Sequence, residues 1–89
     1  MVKKEVKIAL VDDHTLFRTG LRGLLSQREG FSIVADVGSG TEFLNLLPEL
    51  DVDVVFMDIA MPEMDGAETT RRALQIKPGL RIITLSMFG

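Results

Sequence analysis

Three aspartates set the chemistry this chain could carry out. Asp12 and Asp13 stand together directly after the apolar run Ile8-Ala9-Leu10-Val11, and Asp58 follows the largely apolar stretch 52–57. A single aspartate after a strand is most simply an N-cap or turn residue, and Asp13 fits that role before a first helix. Three carboxylates at strand ends, taken together, point elsewhere. Crowded into one place they repel each other, and a hard divalent cation with oxygen ligands relieves the repulsion, Mg²⁺ being the usual one. The same ion neutralises an incoming phosphate.

Whether the three meet depends on the elements that carry them. Val6, Ile8, Ala9, Leu10 and Val11 read as a strand buried on both faces, as in a parallel sheet. Leu16, Phe17, Leu21, Leu24 and Leu25 recur every three or four residues, which predicts an amphipathic helix closed by Gly30. Residues 31–37 predict a second strand. Ser39 and Glu42 form a capping-box pattern ahead of a short helix that Pro48 ends or interrupts. Residues 52–57 predict a third strand ending at Asp58. Asp65 and Glu68 predict the cap of a third helix running from about Gly66 to Ile76, before Pro78 and Gly79. Residues 80–85 predict a fourth strand. The order β-α-β-α-β-α-β predicts an α/β fold with an open parallel sheet, right-handed crossovers and helices on both faces. Ligands bind such sheets outside the carboxyl ends of the strands, where strand order reverses. If the first and third strands are neighbours, Asp12, Asp13 and Asp58 converge there.

The bulk composition fits one small domain. The chain has 89 residues, 46% of them hydrophobic and 26% charged, enough for a core and a polar surface. A net charge of -3 gives no basic footprint for nucleic acid. With no cysteine there is no disulfide and no thiol chemistry. No apolar stretch approaches the roughly 20 residues of a membrane span, so a cytoplasmic protein with no membrane partner is expected.

Val11-Asp12-Asp13-His14, Met57-Asp58-Ile59-Ala60-Met61-Pro62-Glu63-Met64-Asp65-Gly66 and Leu85-Ser86-Met87 resemble the successive signatures of the two-component response regulator receiver family. The run Asp12-Asp13-His14-Thr15-Leu16-Phe17-Arg18-Thr19-Gly20-Leu21 is similar to the NarL/FixJ subclass, whose output domain is a LuxR-type helix-turn-helix. The Asp58–Gly66 run is highly specific, whereas the acidic pair alone is weak. The resemblance covers nearly all of this chain but only part of a receiver. It implies a flavodoxin-like sheet of order 2-1-3-4 over residues 1–89, an incomplete receiver. Asp58 would be the phosphoacceptor. Asp13 would ligate Mg²⁺ directly and Asp12 chiefly through water, with the backbone carbonyl of Ala60 as a further ligand. Ser86 would hydrogen-bond the phosphoryl oxygen and link phosphorylation to a loop shift. A sensor histidine kinase would be the phosphodonor, and DNA would be reached only through a C-terminal domain absent here. The small side chain of Ala60 is expected to leave the acceptor open to water and so permit quick autodephosphorylation.

The family also carries a lysine and an aromatic switch residue on a fifth strand. No lysine follows Lys77 here, so phosphotransfer by this segment alone is expected to be slow or abolished. The fourth strand would then be an edge. Ile82, Ile83, Leu85, Met87 and Phe88 would favour self-association into a homodimer. Two other functions compete with the phosphoacceptor: a fragment that only self-associates, and a Mg²⁺-dependent phosphohydrolase. The last ranks far lower, because Ala60 stands where such enzymes carry a second acid. The remaining residues read blandly. His14 stands beside the acidic pair and a site role is imaginable, but a solvent-facing first-turn residue is the better reading; Met57 is core, and Met61 and Met64 are loop packing. Arg71, Arg72 and Lys77 form a solvated helix face, and Pro62 and Gly66 shape the loop after Asp58.

Overall fold

In the computed structural model, which describes residues 5–61 and 63–85, the chain alternates strand and helix as its hydrophobic pattern dictates. The elements are β1 (Val6–Val11), α1 (Thr15–Ser26), β2 (Phe31–Val37), α2 (Gly40–Leu46) with a 3₁₀ turn at Leu47–Glu49, β3 (Val54–Asp58), α3 (Gly66–Ile76) and β4 (Arg81–Leu85). All strand pairs are parallel, and the sheet order is β2-β1-β3-β4. The expected flavodoxin-like order is therefore what the chain adopts. β1 lies between β2 and β3, so the connections on its two sides run in opposite directions and leave a crevice at the carboxyl ends of β1 and β3.

Two layers of side chains cover the sheet. One holds the core: Ala9, Val11, Ala35, Val37, Val55 and Met57 from the strands meet Phe43, Leu47 and Ala73 from the helices. Phe43 and Leu47 are completely buried, each contributing about 1.5–3 kcal/mol of transfer free energy. On the other side Ile8 and Leu10 are buried, yet α1 buries none of its own residues fully. Leu16 is 87% exposed and Leu24 67%. Arg18 and Arg22 tie that helix to β2 through ion pairs with Asp36.

Several expected boundaries move. α1 ends at Ser26 rather than at Gly30. Gly30 instead takes a positive φ of 92° in the turn into β2, and its carbonyl accepts the Val6 N–H at 2.7 Å. β3 starts at Val54 and β4 at Arg81, each a residue or two later than the apolar runs suggest. The caps are where the sequence puts them: Ser39 Oγ accepts from Glu42 N at 3.1 Å, and Asp65 Oδ1 from Glu68 N at 2.9 Å. The first box is not reciprocal, since the Glu42 carboxylate takes the Gly38 N–H instead of that of Ser39. Lys77 departs from the solvated-face reading: it is half-buried and its ammonium donates to the Leu50 carbonyl. Arg71 and Arg72 do stay on the surface, both paired with Glu68.

Candidate functional site

β1 and β3 run side by side with Val11 opposite Met57, so the next residues, Asp12 and Asp58, sit at adjoining strand ends. Both are buried, with 2% and 0% of their surface accessible. Asp13 follows in the loop and is more open. One donor atom each from Asp12, Asp13, His14 and Asp58 falls within 4.8 Å of all the others. The expected convergence of the three carboxylates is thus present. The alternative role of Asp13 as helix cap is not, because the N-cap position of α1 is His14 and no side chain caps there.

The site is built by short-range bonding around a buried charge. Asp12 Oδ1 accepts the backbone N–H of His14 at 2.7 Å, and the Arg18 guanidinium donates to the Asp12 carbonyl. Asp58 Oδ1 accepts the backbone N–H of Ala60 at 3.1 Å, which turns the chain out of β3. Gly66 closes that loop: its N–H donates to the Ile59 carbonyl at 2.9 Å. A Cβ at position 66 would lie 2.3 Å from the Asp58 carbonyl oxygen and 2.8 Å from Ile59 Cα, so only glycine fits where α3 starts. Met61 is buried in the core, anchoring the loop from the inside.

Two oxygens of this cluster, Asp12 Oδ2 and Asp58 Oδ2, are buried without a hydrogen-bond partner. Buried carboxylate oxygens left unsatisfied are costly, and they fit the oxygen-donor set that a hard divalent cation takes. The residues present therefore suit Mg²⁺. Burial pushes the Asp58 carboxyl above its ordinary pKa, and the charges of Asp12 and Asp13 push it further, against the Ala60 N–H, which favours the ionised form.

His14 is exposed at the start of α1, as expected, yet its ring also faces the acidic cluster. Its Nδ1 lies 2.9 Å from Asp12 Oδ1, 3.2 Å from Asp13 Oδ1 and 3.4 Å from Asp58 Oδ2. The hydrogen bond to Asp12 raises its pKa, with Asp13, Asp12 and Asp58 adding to the effect and desolvation opposing it. The one available signal was its adjacency to the acidic pair. Ala60 is exposed and contributes its backbone N–H to Asp58. Ser86, Pro62, Met87 and Phe88 lie outside the described residues.

Residues 8–89 match the response regulator receiver domain family. The response regulator GacA of Pseudomonas aeruginosa is 38% identical over 82 residues, which are 92% of this chain and 38% of that protein. The solved structure of a LuxR-family two-component response regulator from Aurantimonas sp. superposes with a TM-score of 0.89 at 35% identity, covering 97% of this chain and 61% of that one. RcsB from Salmonella enterica serovar Typhimurium, bound to promoter rprA in the presence of phosphomimetic BeF3-, gives a TM-score of 0.87 at 31% identity, over 96% of this chain and 72% of that one. The chain spans less than two-fifths of the length of GacA. From its strand order, the acidic crevice between β1 and β3 and these likenesses, the chain belongs to the response regulator receiver domain family, with relatives of the LuxR/NarL type.

Proposed function

We propose that this chain is the phosphoacceptor module of a response regulator, taking a phosphoryl group onto Asp58 from a sensor histidine kinase, slowly in the 89-residue segment alone, with Mg²⁺ held by Asp12, Asp13, Asp58 and the Ala60 carbonyl. The observation that carries this reading is the buried Asp58 carboxylate, with one oxygen lacking a hydrogen-bond partner, beside the Asp12–Asp13 pair. Mg²⁺, when bound, supplies charge that neutralises the carboxylates and the phosphoryl oxygens. The chain's own part is positional. The Ala60 N–H holds one Asp58 oxygen and leaves the other for attack on phosphorus. The hydroxyl of Ser86 binds a phosphoryl oxygen in the same reading. Ala60 is exposed, which suits access of water to the acyl phosphate and a short lifetime for it. A bulkier residue at position 60 is expected to change that lifetime.

In this reading the chain acts through its phosphorylation state and not as an enzyme on other molecules. DNA is contacted only by a separate output domain, and the protein works in the cytoplasm; among the described residues no helix is long and apolar enough to cross a membrane. The test uses beryllofluoride, which mimics the bound phosphoryl group. With Mg²⁺ at about a hundredfold its Kd it is expected to stabilise the chain by about 2.7 kcal/mol, read as a rise in Tm. Asp58→Asn is expected to abolish the rise. No rise in the unaltered chain, or an equal rise in the variant, refutes the proposal.

A second reading, self-association, draws on the exposed edge. Among the described residues β4 pairs only with β3, and Ile83 is 48% exposed. An apolar edge strand is a template for pairing with another copy. Sedimentation equilibrium giving only monomer at high concentration removes this reading.

A further inference from the structure

We propose that His14 is a ligand of the same cation, coordinating through Nδ1, so that the centre prefers imidazole-binding transition ions such as Ni²⁺, Co²⁺ or Zn²⁺ over Mg²⁺. The inference rests on the metal centre proposed above and names one more donor in it.

The spacing carries the argument. Donors about 2.1 Å from a common ion stand about 3 Å apart when adjacent and about 4 Å apart when opposite. His14 Nδ1 lies 2.9, 3.2 and 3.4 Å from one oxygen of each of the three carboxylates. All four donor atoms fall within 4.8 Å of one another, so the widest pair has to close by less than about 1 Å onto an ion. No helix face or distant loop brings the ring there. A two-residue turn does, closed by the backbone bond from His14 N–H to Asp12 Oδ1, which holds the ring over the acidic pair. Asp12 Oδ2 and Asp58 Oδ2 stay buried without hydrogen-bond partners, so the cluster is not satisfied by its own bonding and retains oxygen capacity for an ion. Carboxylate oxygens alone select Mg²⁺, Ca²⁺ or Mn²⁺, whereas an imidazole nitrogen shifts the preference toward Zn²⁺, Ni²⁺ and their neighbours, and affinity rises along the series toward Cu²⁺. Coordination exchanges the hydrogen bond between Nδ1 and Asp12 Oδ1 for the ion, with the proton released to solvent, and the half-exposed ring can turn to do so without unpacking the core.

The test measures Ni²⁺ and Mg²⁺ affinities by calorimetry on the 89-residue chain, its His14→Gln variant and its Asp13→Asn variant. His14→Gln is expected to lower the ratio of Ni²⁺ to Mg²⁺ affinity by at least roughly tenfold, the size of effect that even an outer-shell partner of a metal carries. A second measurement needs no variant. The sequence holds one histidine, so imidazole nitrogen coupling in the pulsed electron paramagnetic resonance spectrum of the Mn²⁺-loaded chain reports on His14 alone. Coupling is expected, and its absence overturns the proposal. Mg²⁺ binding that is lost in Asp13→Asn, with an unchanged ion ratio in His14→Gln, overturns the His14 ligand and leaves the acidic centre standing. Binding of neither ion overturns both.

Discussion

Replacing Asp58 with asparagine is expected to stabilise the metal-free chain, although it removes the proposed nucleophile. The carboxylate has no accessible surface, and its donor atom lies within 4.8 Å of those of Asp12 and Asp13. Two unit charges at that separation repel by about 3.5 kcal/mol at an effective dielectric near 20. The cationic share of His14 and the water around the more open Asp13 offset part of this, leaving a net gain of about 1–3 kcal/mol. Asparagine keeps an oxygen for the Ala60 N–H, so the turn after β3 survives. For a domain of this size each kcal/mol moves Tm by roughly 4–8 °C. The sign also fixes the pH dependence. The pKa of Asp58 is raised in the folded chain, so its contribution to stability is complete below the ordinary carboxylate value and is lost as pH rises through the raised one. The advantage of the variant is therefore largest near neutral pH and disappears in acid. Mg²⁺ is expected to narrow the gap, because it relieves in the unaltered chain the repulsion that asparagine has already removed. Thermal melts followed by circular dichroism, with chelator and with Mg²⁺, decide it. A variant that melts at or below the unaltered chain in chelator at neutral pH refutes the electrostatic reasoning.

Gly66→Ala is expected to cost about 1–3 kcal/mol, the usual range for overpacking, since its Cβ meets the backbone of Asp58 and Ile59; denaturant melts measure the loss, and the beryllofluoride response is expected to weaken with it. Asp65→Ala removes the cap that accepts the Glu68 N–H and is expected to cost about 1 kcal/mol, read from the same melts. Glu68 is held down to about 2 by Arg71 and Arg72, so the stability it contributes is present above its ordinary value of 4.5 and is lost as pH falls from there toward 2. Glu68→Gln is expected to flatten the acid limb of Tm against pH in that window.

The sequence by itself determined what is local. Apolar runs and three-to-four-residue spacing located every strand and helix, because burial on a period of 3.6 or on both faces of a strand is written within a dozen residues. Ser39 with Glu42 and Asp65 with Glu68 marked two helix starts for the same reason. Asp12, Asp13 and Asp58 were legible as a group because each follows an apolar run and the Asp58–Gly66 signature is specific. Helix and strand ends were less legible, as Gly30 shows: a glycine after an amphipathic run serves a stop or a turn equally well, and here it serves the turn. Tertiary structure alone decided what depends on approach through space. It set the register of β3 against β1, with Val11 opposite Met57, which brings the strand-end aspartates level in one site. It shifted the β1–β2 register between Ile8 and Ala9, so that Ala35 and Val37 pair with Ala9 and Val11 in the core. It half-buried Lys77 against Leu50 and pressed Gly40 against Thr69, where a Cβ would lie 2.0 Å from the threonine hydroxyl. It also swung the His14 ring onto three carboxylates. None of these follows from residue type or spacing, because each is a contact between segments whose separation along the chain, or whose rotamer, only the packed fold selects.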